Sequence, residues 1–456
     1  MADKTSFPKN FKWGTATSSY QIEGAPNADE KGPSVWDTFS HINGNIKDNE
    51  TGDIACDHYH VWPKDFELLK DLGVNSYRLS ISWPRIFATG KEKKPNQKGL
   101  DFYSRMIDWL LENQITPFIT LNHWDIPQGL EDDGGWTHRS MVDAFVKYSF
   151  HVSKHLGDRV TNWITHNEPW CISYIGYIAG HKPPGLKNNW PKSLAAAHHL
   201  LLSHGLAIPE IRKNSEQSKI GITLNLNTAI PASESTYDNE ACNFYDGQFN
   251  RLYLEPLYKK KYPNDVFEYL KNKGSITEKN LNFIKDDDLN LISTDTDFLG
   301  VNYYSRAVIR NEEIDENKNL PKNVVMGPKT DFGWEIHPPG LYDLLVKLKT
   351  KYNVGPIYIT ENGCSYGDSP DQEKKINDQR RIDYHQSHLA EVKRAIADGV
   401  ECKGYFAWSL LDNFEWAQGF TQRFGLVWVD FKTLERIPKK SFSWYKNYII
   451  NNKMGE

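Results

Sequence analysis

Short runs rich in β-branched and aromatic residues recur along the chain, and most stop abruptly at polar groups. In "PIYITENG", Pro356 to Gly363, the apolar run ends on Glu361 and Asn362. In "VTNWITHNEP", Val160 to Pro169, it ends on His166, Asn167 and Glu168. Between such runs lie stretches whose apolar positions return about every 3.6 residues, the helical period. "DFYSRMIDWLLEN" (Asp101 to Asn113), "MVDAFVKYSFHVSKHL" (Met141 to Leu156) and "SLAAAHHLLLSHGLAIPEIRK" (Ser193 to Lys213) are three of them. Strands alternating with helices predict βα units on a parallel sheet.

Eight strand-like runs follow in order: "FKWGTATSSYQIEG" from Phe11, "NSYRLSISW" from Asn75, "TPFITLNHW" from Thr116, "VTNWITHNEP" from Val160, "KIGITLNLN" from Lys219, "DFLGVNYYS" from Asp297, "PIYITENG" from Pro356 and "GYFAWSLLDNFEW" from Gly404. That number predicts an α/β fold of the (β/α)8 TIM barrel type, a single catalytic domain over 1–456 with elaborated loops. Each run starts apolar and ends in groups that hydrogen bond or titrate: Gln21, Arg78, His123, Glu168, Asn225, Asn302 with Tyr304, Glu361 and Glu415. In a barrel these ends converge on one rim, where the active sites of this fold lie.

Composition narrows the partners. A hydrophobic share of 39% with 25% charged residues is that of a globular chain with a large core. A net charge of -5 gives no basic surface for nucleic acid or an anionic membrane. The charged runs "KEKKPNQK", "YKKKY" and the acidic "NEEIDENKN" (Asn311 to Asn319) read as solvated loops or helix faces. Five scattered cysteines without CxxC spacing suggest neither zinc nor a disulfide framework, and fit a reducing compartment. With no apolar segment of signal-peptide or membrane-spanning length, a cytoplasmic protein is expected.

No nucleotide-binding, zinc-protease or serine-hydrolase motif competes for the rim, and no cofactor is expected. "DHYH" (Asp57 to His60) lacks a third ligand nearby, so His58 and His60 read as structural and no metal is expected; His198 and His199, adjacent on a helix, read likewise. A lone glutamate at a strand end is an ordinary helix cap or ion-pair partner. Two of them, each beside an asparagine and within one eightfold alternation, point instead to glycoside hydrolysis, which needs one carboxyl to protonate the leaving oxygen and another beneath the anomeric carbon. Arg78 is the candidate cation for Glu361, and Glu168, between Asn167 and Trp170, is the candidate acid. Aromatic residues make up 13% of the chain; core packing explains most of them, and flat rings with a polar tip are also the usual surface on which a sugar can rest.

The stretches "FKWGTATSSYQIEGA", "YRLSISWPRI", "LNHWDIPQGL", "THNEPW", "FLGVNYY", "YITENG" and "WSLLDNFEWAQGF" resemble glycoside hydrolase family 1, the β-glucosidases and their relatives, from Phe7 to Tyr448. The resemblance implies a retaining double displacement with Glu361 as nucleophile and Glu168 as acid/base, about 5 to 5.5 Å apart. It sets Arg78 and Tyr304 against the nucleophile, with Asn302 in the same catalytic group. Gln21, His123, Asn167, Glu415 and Trp416 would surround the hydroxyls of the −1 sugar, with Trp408 as its platform. Phe424 and Trp334 would wall the pocket, Trp334 facing the leaving group, with Asn225 and Cys171 toward the aglycone side.

A carboxylate at Glu415 argues for an unphosphorylated glycon, and the presence of Glu168 for an O-glycosidase over a thioglucosidase. The expected substrates are small β-glucosides or cello-oligosaccharides such as cellobiose, taken at the non-reducing end. Glucosyl against galactosyl or fucosyl preference stays open, as does a homo-oligomeric state. Transglycosylation on the same intermediate is an alternative. A non-catalytic sugar-binding barrel is a distant one, since both glutamates are present. The polar loop from Arg310 to Phe332 is expected to shape the aglycone entrance.

Overall fold

The computed structural model describes residues 6–311 and 321–454. The eight expected runs are eight parallel strands closed into a barrel: β1 (Lys12–Ala16), β2 (Ser76–Ser80), β3 (Thr116–Asn122), β4 (Asn162–Asn167), β5 (Lys219–Asn225), β6 (Phe298–Asn302), β7 (Ile357–Asn362) and β8 (Cys402–Trp408). Each pairs with its successor, and β8 closes on β1 with Ala16 level with Trp408. The principal helices that follow them are α1 (His58–Leu72), α2 (Gln97–Glu112), α3 (Ser140–Leu156), α4 (Trp190–Asn214), α5 (Leu252–Lys259), α6 (Pro338–Tyr352), α7 (Gln379–Ala397) and α8 (Lys440–Met454).

Two packing layers hold this arrangement. Phe118 on β3 meets Tyr358 on β7 at 5.1 Å and Phe406 on β8 at 4.9 Å. Those strands are not its neighbours, so the rings meet across the barrel axis and fill it, as bulky side chains do in this fold. Gly14 on β1 makes room for them, because a Cβ there would lie 2.4 Å from the Phe406 ring. The larger apolar core lies between the strands and the helices. The long α4 is buried along most of its length, and at Gly205 a Cβ would meet the Leu291 carbonyl oxygen at 1.9 Å.

The first and last strands are shorter than their sequence runs. β1 ends at Ala16, and Gln21 lies in a helical turn, Ser19–Ile22. β8 ends at Trp408, and Glu415 belongs to the loop beyond. The ladder between β1 and β8 ends at Ala16 and Trp408, and beyond it the backbone closes locally: Leu410 N–H donates to the Ala16 carbonyl and Phe414 N–H to that of Gln21. "DHYH" opens α1, with Asp57 at its N-cap; His58 Nδ1 lies 2.8 Å from Asp65 and His60 Nδ1 2.5 Å from Asp57. The acidic run "NEEIDENKN" beyond Asn311, and with it part of the loop expected at the aglycone entrance, lies outside the described residues.

Candidate active site

Where the two glutamates leave the sheet, the strand register slips. The β4–β5 pairing shifts between Ile164 and Asn167, and the β6–β7 pairing between Ile359 and Glu361. Such irregularities re-aim side chains at a barrel rim. Here Glu168, at 6% exposure, and Glu361, at 3%, both line one cavity of about 680 Å³.

A continuous hydrogen-bonded chain joins the two carboxyls. Arg78 donates through Nη1 to Glu361 Oε1 at 2.6 Å and through Nη2 to Asn167 Oδ1 at 2.6 Å. Asn302 Nδ2 donates to Glu168 Oε1 at 2.7 Å and reaches Asn167 Oδ1 at 3.1 Å. The second oxygens also differ: Tyr304 donates its hydroxyl to Glu361 Oε2 at 2.6 Å, whereas the Cys171 thiol donates to Glu168 Oε2 at 3.0 Å. Glu361 thus faces a guanidinium and a phenol, and Glu168 an amide and a thiol. The stronger donors stabilise the anion at Glu361.

Burial opposes that ionisation and pushes the Glu361 carboxyl up to about 7; Arg78 pulls it down and the Glu168 carboxylate adds to the rise. Burial, with Glu361 beside it, keeps the Tyr304 phenol protonated far above the usual tyrosine range, so it remains a donor. Burial, reinforced by Arg78 and Lys182, holds His123 well below the ordinary histidine value. The Glu415 carboxyl is pushed up to about 8 by burial, with Lys182 opposing and Glu361 and Glu168 reinforcing.

Around this centre the cavity is aromatic. His123 stacks on Trp408 and Trp416, each about 6.0 Å away, and these three line one side with Glu415. Trp334 packs on Tyr304 at 5.0 Å and Phe332 at 4.2 Å, and Phe424 joins them in the same aromatic cluster as Trp408. Cys171 and Asn225 line the cavity too. Two of the expected sugar-binding residues stand further back. Asn167 is fully buried within the hydrogen-bonded chain. Gln21 is also fully buried, its amide donating to Asn413 and the Phe414 carbonyl at 2.9 Å and accepting from Ser18 at 2.6 Å. Neither is among the cavity's lining residues.

Some lining residues were not reached from sequence. Trp124 follows His123, and its indole N–H holds the Asn167 carbonyl at 2.8 Å. Lys182 sits with its Nζ 3.2 Å from the Trp124 ring centroid. It lies in a loop, not at a strand end, so a rim argument passes it over. Among the described residues, no group of three or more side chains has a metal-binding arrangement, and no helix is long and apolar enough to cross a membrane.

Comparison with known proteins identifies the family. The family Glycosyl hydrolase family 1 matches residues 3–454. Beta-glucosidase A of Acetivibrio thermocellus is 49% identical, over 98% of this chain and 99% of that protein. The bifunctional beta-D-glucosidase/beta-D-fucosidase of Bifidobacterium breve is 41% identical, over 98% of each. The solved beta-glucosidase from Thermotoga maritima in complex with glucoimidazole superposes with a TM-score of 0.93 at 45% identity, covering 99% of this chain and 100% of that one. This chain belongs to glycosyl hydrolase family 1.

Proposed function

We propose that the protein is a retaining, exo-acting β-glycosidase that removes terminal non-reducing β-D-glucosyl residues from small β-glucosides and cello-oligosaccharides. The observation that carries this reading is the chain Glu361–Arg78–Asn167–Asn302–Glu168, which joins two carboxyls of one cavity and gives each a different set of donors. Glu361, held by Arg78 and Tyr304, attacks the anomeric carbon and forms a glycosyl ester. Glu168 protonates the departing oxygen, then takes a proton from the water that hydrolyses the ester. Two inversions give net retention. His123, Trp416 and Glu415 meet the hydroxyls of the −1 sugar on the Trp408 platform, and Trp334 faces the leaving group.

The Bifidobacterium relative's name supports fucosyl glycosides as further substrates of this chain. The whole chain acts as one catalytic domain, in the cytoplasm, where its five unpaired cysteines stay reduced.

The test is release of p-nitrophenol from a β-glucoside by wild type, Glu361→Ala and Glu168→Ala, with azide added to each variant. Azide needs no proton and replaces the missing carboxylate. Glu361→Ala is expected to give the α-glucosyl azide and Glu168→Ala the β-azide. The reverse assignment, or a wild type that cleaves no gluco, galacto or fuco β-glycoside, overturns the reading.

A further inference from the structure

Glu168, Glu361 and Glu415 all line one cavity. Arg78 is committed to Glu361 at 2.6 Å, and at the outer wall Arg306 is committed to Glu335 at 2.8 Å. Lys47 and His181 also line the cavity but stand exposed at its mouth, where water screens them. Lys182 is different. It is half-buried, its ammonium lies 3.2 Å from the Trp124 ring centroid and 5.6 Å from that of Trp416, and the Trp124 ring is itself pinned to the Asn167 carbonyl. A cation seated on an indole face is held where its field acts on the adjoining carboxylate. That carboxylate is Glu415, next in sequence to Trp416.

Glu415 has an oxygen, Oε2, that is buried without a hydrogen-bond partner among the described residues. The charged groups that act on it are Lys182, which favours its ionised form, and Glu361 and Glu168, which oppose it. An ionised carboxyl accepts from two hydroxyls at once. A neutral one must spend an oxygen as a donor.

We infer that Lys182 is a specificity-determining, positioning residue: its ammonium, fixed on Trp124, supplies the charge that lets Glu415 accept hydrogen bonds from the C4 and C6 hydroxyls of a neutral hexose. This rests on the glycosidase reading above and deepens it. The family pattern of strand ends does not contain this residue; its charge also reaches His123 and Cys171, and the Glu415→Gln background isolates the part that passes through Glu415.

The experiment compares wild type, Lys182→Met, Lys182→Arg, Glu415→Gln and the double variant Lys182→Met/Glu415→Gln on p-nitrophenyl β-glucoside and β-xyloside, which lacks the C6 hydroxyl, from pH 5 to 9. Dissociation constants for D-glucose and D-xylose, measured by calorimetry, read the same discrimination without turnover. Lys182→Met is expected to lose about tenfold in kcat/KM on the glucoside, mainly through KM, but under about threefold on the xyloside. The pH below which its glucoside KM rises should move upward. Lys182→Arg should retain the wild-type ratio, and in the Glu415→Gln background the Lys182→Met change should have almost no further effect. Equal losses on both sugars, or an undiminished loss in the Glu415→Gln background, overturn the inference. A wild type that binds glucose but hydrolyses neither glycoside removes the glycosidase reading, and the glucose-to-xylose binding ratio still decides the role of Lys182.

Discussion

The Tyr304 hydroxyl, 2.6 Å from Glu361 Oε2, stabilises the ionised form of that carboxyl, which burial disfavours. Removing it in Tyr304→Phe should push that carboxyl further up. The acid limb of kcat/KM, which reports the apparent titration of the coupled pair, is then expected to move up by about one pH unit, with kcat falling about tenfold or more. A pH profile on an aryl β-glucoside checks both, and an unmoved limb would show that Arg78 alone sets the ionisation. Residues of this kind were legible early. Glu168, Glu361 and Tyr304 each break an apolar run at its end, where a buried strand has no other use for a polar group. Gln21 also follows an apolar run, but its partners are not legible there: its amide donates to Asn413 and the Phe414 carbonyl and accepts from Ser18.

Among the elements, β1 and β8 depend on each other through Gly14. A side chain there would collide with Phe406, which reaches across the axis to Phe118. Gly14→Ala is expected to cost about 1–3 kcal/mol, read as a lowered melting temperature, and Phe406→Leu added to it should restore part of the loss. A fully additive double variant would mean that the two do not share the space. The strands' existence was legible because their β-branched and aromatic runs are bounded by turn residues. Their ends were not. Pairing between β1 and β8 stops at Ala16 and Trp408 together, which is a property of the closed sheet and not of either segment. The register slips beside Glu168 and Glu361 are likewise set by what each strand lies against.

For the molecule as a whole, the carboxyls that build the cavity bear on stability. Glu415, whose ordinary value is 4.5, is raised to about 8 in the folded protein, so the folded state binds the extra proton between those limits. Stability therefore falls as pH rises through that window. Glu415→Gln, which stays neutral, is expected to raise the melting temperature at pH 8 and leave it nearly unchanged at pH 4.5, a gain on the order of 1 kcal/mol at the alkaline end. Equal shifts at both pH values would assign the gain to packing instead. The sequence by itself determined the alternation of eight strands and helices, the two glutamates at the rim beside the ends of β4 and β7, and the aromatic character of their surroundings, because periodicity and local polarity are properties of neighbouring residues. Only the tertiary structure decided that Arg78, Asn167 and Asn302 form one chain between the glutamates, that Gln21 stands behind the cavity wall, and that Lys182 reaches over Trp124 toward Glu415. Those relations join residues dozens to hundreds of positions apart, and closure of the barrel is what brings them within hydrogen-bonding and electrostatic range.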